Sequence, residues 1–285
     1  MADWRFEAIG TAWQVDSDVE LPDAVRRDVL ERIEGFDRTW SRFRPDSVVT
    51  ALAATPGAVE LPAEAGPLLD LYRRLDHLTS GAVTPLMGRA LADLGYDATY
   101  SLRPSGRAAV VPGWSVLTWE PPVLTTHEPV LLDVGAAGKG LLADLVADVL
   151  RSSGVETFSV DASGDLVHRG RDPLRVALEH PLDPTVAVGV AELAPGTALC
   201  ASAVNRRAWG EGLHHVLDGR TGRPTHDVLA TWVVADTCLL ADGAATAAFF
   251  VPPPRLEAEL GVASARLLST GRLEWSATFP GEMFV

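Results

Sequence analysis

The chain has 285 residues, 47% of them hydrophobic, enough to bury a sizeable core and close to the upper limit of one compact domain. A formal charge of -14, with no local run of Lys or Arg, opposes binding to nucleic acid by counterion release. The opening MADWRFEAIG sets Asp3, Arg5 and Glu7 where a signal peptide needs an apolar run, and no stretch approaches ~18 uninterrupted apolar residues; the expectation is a cytoplasmic protein without membrane insertion.

In chain order, FEAIGTAWQVD alternates apolar and polar residues and predicts a strand, followed by a helix with its apolar face at Val25, Val29, Leu30, Ile33 and Phe36. A second helix is expected over 63–78, then a short helix among the Gly and Pro of TSGAVTPLMGRALADLGYD, then strands and turns over 101–122. VLLDVGAAGKGLLADLVADVLRSSGV predicts strand, glycine turn and helix, with Gly154 as the stop. FSVDASGDLVHRG predicts strand, turn, strand, and short strands alternate with turns over 174–200. HHVLDGRTGRPT is a polar loop, and TWVVADTCLLADGAATAAFFV runs from a strand into an Ala-rich helix. Cys200 and Cys238 are too few for a disulfide framework, lack CxxC spacing and read as core thiols.

Three constellations carry chemistry. DVGAAGKG either approaches an anion, with Lys139 adding charge at a helix start, or is a structural glycine turn. It is not a phosphate loop of the Walker type, because two residues rather than four separate Gly135 from Gly138 and Gly140 follows Lys139. Asp242 and Thr246 lie four apart, so a helix puts both on one face as oxygen ligands suited to Mg2+, or equally Mn2+; read alone, Asp242 is also an ordinary acid near a helix start. His214 and His215 diverge as neighbours and no HExxH occurs, which disfavours a zinc hydrolase. His215 with Asp218 in the glycine-rich loop either orients an imidazole toward a reacting phosphate or is a loop histidine without a function.

Taken together and in order, these segments resemble the ApbE-like FAD:protein FMN transferase family over nearly the whole chain. IGT at 9–11 is similar to the family's MGT, WSRFRPDSVVTAL at 40–52 to LSxFxPDSExxxLN, and SGAVTP at 80–85 to DGAFDPT. LLDVGAAGKGLLAD at 131–144 resembles LDLGGIAKGYAVD, SVDASGDLVHRG at 159–170 the NxGGDxxxxG turn, and CASAVNRR at 200–207 the ATSGxYxR strand. The most specific matches are HHVLDGRTGRP at 214–224, similar to HHIIDPRTGxP, and ADGAATAAFFV at 241–251, similar to ADALSTALFV.

The resemblance implies an α+β fold: a single domain over 1–285, built of two intimately packed α/β lobes with mixed sheets and a flavin site between them. It implies FAD contacts at Ile9, Phe43, Ala82, Asp133, Lys139 and Val216, and a Mg2+ ion held by Asp242, Thr246 and the carbonyl of Ala136. The implied reaction moves FMN from FAD to a threonine hydroxyl of an acceptor protein and releases AMP, with His215 removing the proton or orienting the phosphate. Water in place of threonine would make the same site an FAD pyrophosphatase, and loss of catalysis would leave an FAD-binding protein. The chain departs from the pattern at Ile9 (for Met), Thr84 (for Asp), Ala136 and Gly138 (for Gly and Ala), Ala203, Asn205 and Gly219 (for Pro). The change at position 84 is expected to remove a hydrogen-bond acceptor for the cofactor.

Overall fold

The computed structural model describes residues 2–107 and 110–284; part of the 101–122 expectation, at positions 108 and 109, falls outside the described residues. Seven α-helices occur among the described residues: α1 (Asp23–Trp40), α2 (Val48–Ala54), α3 (Ala65–Thr79), α4 (Gly88–Asp93), α5 (Gly138–Ser152), α6 (Cys238–Ala247) and α7 (Pro253–Leu260). The chain forms two compact units. The first takes residues up to Glu34, Ala137–Arg206 and those from His226 onward; the second takes Gly35–Ala136 and Arg207–Thr225.

The first unit is built on an eight-stranded sheet in the order Ala2–Ala8, Thr11–Ser17, Phe158–Asp161, Asp165–Arg169, Ala198–Ala203, Val228–Ala235, Ala263–Leu268, Leu273–Trp275. FEAIGTAWQVD was expected to form one strand and instead folds back on itself, because Ile9 (φ 47°) and Gly10 (φ 73°) both take left-handed backbone and Ala8 pairs with Thr11. Two such residues match the twist of a two-residue hairpin, although a β-branched Ile adopts this conformation only under strain.

Mixed sheets were expected, and every recorded pairing is antiparallel. An antiparallel neighbour starts at the end where its predecessor stops, so an intervening helical segment must bring the chain back to that end. Between Val228–Ala235 and Ala263–Leu268 two helices, α6 and α7, intervene, and the pair returns the chain to the end it left.

One face of the sheet carries Leu199, Ala230, Trp232, Val234, Ala265 and Leu267, packed against Leu178, Val188, Ala191 and Leu193 of a three-stranded antiparallel sheet (Leu174–His180, Asp183–Leu193, Gly281–Met283). The other face carries α6, where Thr231 Oγ1 donates to the Ala245 carbonyl at 2.7 Å, and α6 packs in turn on α5. Covered on both faces, Val228–Ala235 is almost continuously buried and shows no period-two alternation.

The second unit centres on α3, which buries Leu68, Leu69, Tyr72 and Leu75 and stops where Ser80 (φ 53°) and Gly81 (φ 89°) turn left-handed. Thr84 then caps a 3-10 turn over Pro85–Met87, its hydroxyl accepting from Leu86 N–H at 3.4 Å. VLLDV, expected as a strand, alternates buried Val130, Leu132 and Val134 with half-buried neighbours yet joins no sheet. Its neighbour is that 3-10 turn, where the Pro85 carbonyl accepts from Asp133 N–H at 2.8 Å, so the pattern records burial without a ladder. On α1, Val25, Val29, Ile33 and Phe36 are buried as expected, whereas Leu30 is 43% exposed and off the packed face. Among the described residues no helix is long and apolar enough to cross a membrane.

Candidate active site

The glycine turn leads directly into α5 of the first unit, and Gly140 is where α5 meets α6. A Cβ at Gly140 would collide with the Cys238 carbonyl and stand 2.6 Å from Asp242 Cβ, so only glycine lets the two backbones approach this closely. Asp242 Oδ2 accepts the Gly140 N–H at 2.8 Å, which sets this buried carboxylate beside the lysine turn. Thr246 follows one helical turn later on α6 and is half-buried.

Lys139 Nζ lies 2.6 Å from Asp165 Oδ2 and donates to the Ala162 carbonyl at 2.8 Å, both in the hairpin formed by Phe158–Asp161 and Asp165–Arg169. Burial alone would lower the lysine pKa; the charges of Asp165 and Asp242 outweigh it and raise the pKa, so the ammonium stays protonated. Lys139 therefore anchors α5 to a hairpin turn and supplies positive charge next to Asp242. Cys200 and Cys238 are buried free thiols with sulfurs 3.4 Å apart, as expected of core residues. Ile9 lies at the tip of the Ala2–Ser17 hairpin, half-buried.

The remaining expected residues belong to the second unit. Phe43 sits in an aromatic cluster, stacked on Tyr100 (4.9 Å, 6°) and edge-on to Tyr96 (5.3 Å), with the Arg42 guanidinium 4.2 Å from its ring centre. Asp133 is ion-paired to the buried Arg42 and accepts Gly135 N–H at 2.7 Å; Ala136 N–H donates to the Tyr72 hydroxyl at 3.2 Å. Ala82 is fully buried, and its carbonyl accepts from Gly219 N–H at 2.9 Å. Val216 donates to His214 Nδ1 at 3.3 Å and accepts from Thr225 N–H at 3.1 Å. Both residues are buried and their backbone groups are engaged within the protein.

His215 and Asp218 do not act as a couple. The imidazole meets the Arg207 carbonyl through Nδ1 at 3.4 Å, and since a carbonyl only accepts, Nδ1 carries the proton and Nε2 the lone pair. Burial, then the charge of Arg207, lowers its pKa to about 4, so the ring is neutral at physiological pH. Asp218 is held instead by Arg220, with Oδ2 2.6 Å from Nη2 and Oδ1 2.8 Å from Nε. Partial burial would raise its pKa, but those bonds prevail and hold it below the ordinary value. Through these bonds Asp218 braces the turn to Arg220.

Among the described residues no three His, Cys, Asp or Glu side chains converge as a metal cluster. Mg2+ does not require one: it is commonly held by one or two carboxylates together with substrate phosphates and water. An acid and a hydroxyl one turn apart on α6, next to a protonated lysine, fit that donor chemistry.

The model of the ApbE family matches residues 9–263. The chain belongs to the ApbE family. Among its relatives, a protein of Rhodobacter capsulatus named FAD:protein FMN transferase is 29% identical over 90% of this chain; the chain spans about half of that relative's length, 53%. A protein of the same name from Klebsiella pneumoniae is 25% identical over 88% of this chain and 79% of its own length. The fold is that of the crystallised ApbE protein of Thermotoga maritima, with a TM-score of 0.83 at 23% identity and 97% of each chain covered. Against the ApbE expectations, the reading of the sequence passed over Arg42, Asp144 and Asp165. Each lies inside a quoted family segment; for Asp144 and Asp165 a charged residue in an otherwise apolar or glycine-rich motif was the available signal, whereas Arg42 stands close to Arg44 and Asp46.

Proposed function

We propose that the chain is an Mg2+-dependent FAD:protein FMN transferase that attaches FMN to a threonine of an acceptor protein and releases AMP. The observation that carries this reading is the Asp242 carboxylate at 2.8 Å from the Gly140 amide, next to Lys139 and one turn from Thr246. The names of the relatives and the family match support the same activity.

Asp242 and Thr246 would hold the ion, and Lys139 adds a positive charge that favours the pyrophosphate of FAD. Bound there, Mg2+ supplies charge neutralisation at the phosphates. The threonine oxygen forms a bond to the FMN phosphorus, the bond from that phosphorus to the AMP oxygen breaks, and AMP departs with the electron pair. We assign to His215, neutral with Nδ1 on the Arg207 carbonyl, the role of orienting the phosphate or assisting removal of the threonine proton. Phe43 and its aromatic neighbours offer a surface on which an isoalloxazine can stack. We assign the protein to the cytoplasm, where the touching thiols of Cys200 and Cys238 stay reduced.

The test incubates the protein with FAD, Mg2+ and a threonine-bearing acceptor and follows AMP and acceptor mass. The expected result is AMP together with an FMN-sized mass increase, both reduced more than ~100-fold in Asp242→Ala, beyond the range seen for outer-shell changes. Free FMN and AMP without acceptor labelling would point to the pyrophosphatase, and FAD recovered intact to a binding protein.

A further inference from the structure

We propose that Asp144 is a positioning residue for the metal ligand Asp242, acting through the first turn of α6; this rests on the metal site of the proposed function. The first N–H groups of a helix have no partner inside it. In α6, Asp144 Oδ1 accepts Cys238 N–H at 3.0 Å and Oδ2 accepts Leu239 N–H at 2.8 Å, while Thr237 Oγ1 takes Leu240 N–H at 3.2 Å. The carboxylate of one helix thus caps the start of another.

The arrangement is reciprocal. Asp144 lies four residues after Gly140 on α5, and Asp242 lies four residues after Cys238 on α6. Each carboxylate therefore sits one turn inside its own helix and reaches the opening of its partner: Asp242 to Gly140 N–H, Asp144 to Cys238 and Leu239 N–H. Between them the Gly140 backbone is pressed against the Cys238 carbonyl, with no room for a side chain. The register of α6 on α5 is fixed by the Asp144 pair, and that register decides where the Asp242 carboxylate points. Without Asp144, two part-buried amides lose their acceptor and the start of α6 is free to shift. The charge of Asp144 also favours the helix start electrostatically.

The experiment titrates Mn2+ into the FAD-loaded protein without acceptor and follows the loss of the free-ion EPR signal, alongside the Mg2+ dependence of FMN transfer. Asp144→Ala and the near-isosteric Asp144→Asn, which keeps one carbonyl acceptor, are compared with Asp148→Asn, an exposed acid one turn further along α5. The expected order of Mn2+ affinity is wild type equal to Asp148→Asn, then Asp144→Asn at ~10-fold weaker, then Asp144→Ala at up to ~100-fold weaker, the range found for outer-shell partners. In transfer, the Mg2+ requirement of Asp144→Asn rises while the rate at saturating Mg2+ recovers most of its value. Lowered thermal stability with unchanged Mn2+ affinity would overturn the inference and leave Asp144 a purely structural cap. A wild-type protein that takes up no Mn2+ and transfers FMN without Mg2+ would overturn the metal reading, and this inference with it.

Discussion

His214 spends both ring nitrogens inside its own loop, Nε2 on the Thr225 carbonyl at 2.8 Å and Nδ1 on the Val216 amide at 3.3 Å, and it is buried. His215, its neighbour, has one nitrogen on the Arg207 carbonyl, so the pair divides into a loop builder and a candidate base. The folded pKa of His215, about 4 against an ordinary 6.5, has a consequence for stability. As pH falls, the unfolded chain binds the proton first, so the contribution of this group is complete above 6.5 and declines as pH drops through that value toward 4. His215→Gln is expected to flatten this part of the thermal-stability profile, measured by circular dichroism between those limits. Thr84 shows that a departure from a family pattern can keep a local role: its hydroxyl caps the 3-10 turn, as an Asp in that place also would. Gly219, where the family has Pro, donates its amide to Ala82, a bond proline cannot make.

The Lys139–Asp165 pair ties the start of α5 to a hairpin of the sheet, and Asp165 is only 1% exposed. Lys139→Met would leave that carboxylate buried without its counter-ion, at an expected cost of ~3–5 kcal/mol in urea unfolding. The double change Lys139→Met with Asp165→Leu should recover most of the loss, because the lone charge is removed as well. Elements with strong local signals were legible in the sequence: α3, α5 and the strand leading into α6 follow apolar spacing, and Gly154 at φ 83° stops α5 as its position suggests. The hairpin at Ile9 was not, since a β-branched residue in left-handed backbone runs against its own preference. Of the candidate site, the placement of Asp242 and Thr246 one turn apart was readable because one helix carries both. Asp144 to Cys238 spans 94 positions and Arg42 to Asp133 spans 91, and such pairings leave no trace in local periodicity.

At the scale of the molecule, a core cluster of the first unit lies between the eight-stranded and three-stranded sheets, with Trp232 at 3% exposure among Leu178, Val234 and Leu267. Trp232→Ala is expected to cost ~3–5 kcal/mol, read from the urea midpoint at unchanged slope. A mixture of helices and strands was recoverable from the order of elements, while strand direction was not, because a helix between two strands fits either a parallel crossover or a two-helix return. The second unit interrupts the first twice along the chain.

That interruption sets a timetable for the nascent polypeptide. The opening hairpin carries Thr11–Ser17, whose partner strand is Phe158–Asp161, and the sheet beyond it needs Val228–Ala235 and Ala263–Leu268. With translation at ~5–20 residues per second, the first two strands emerge from the ribosome many seconds before their neighbour exists. Through that delay a hairpin formed by these two strands has Thr11–Ser17 as an unpaired edge, open to another strand.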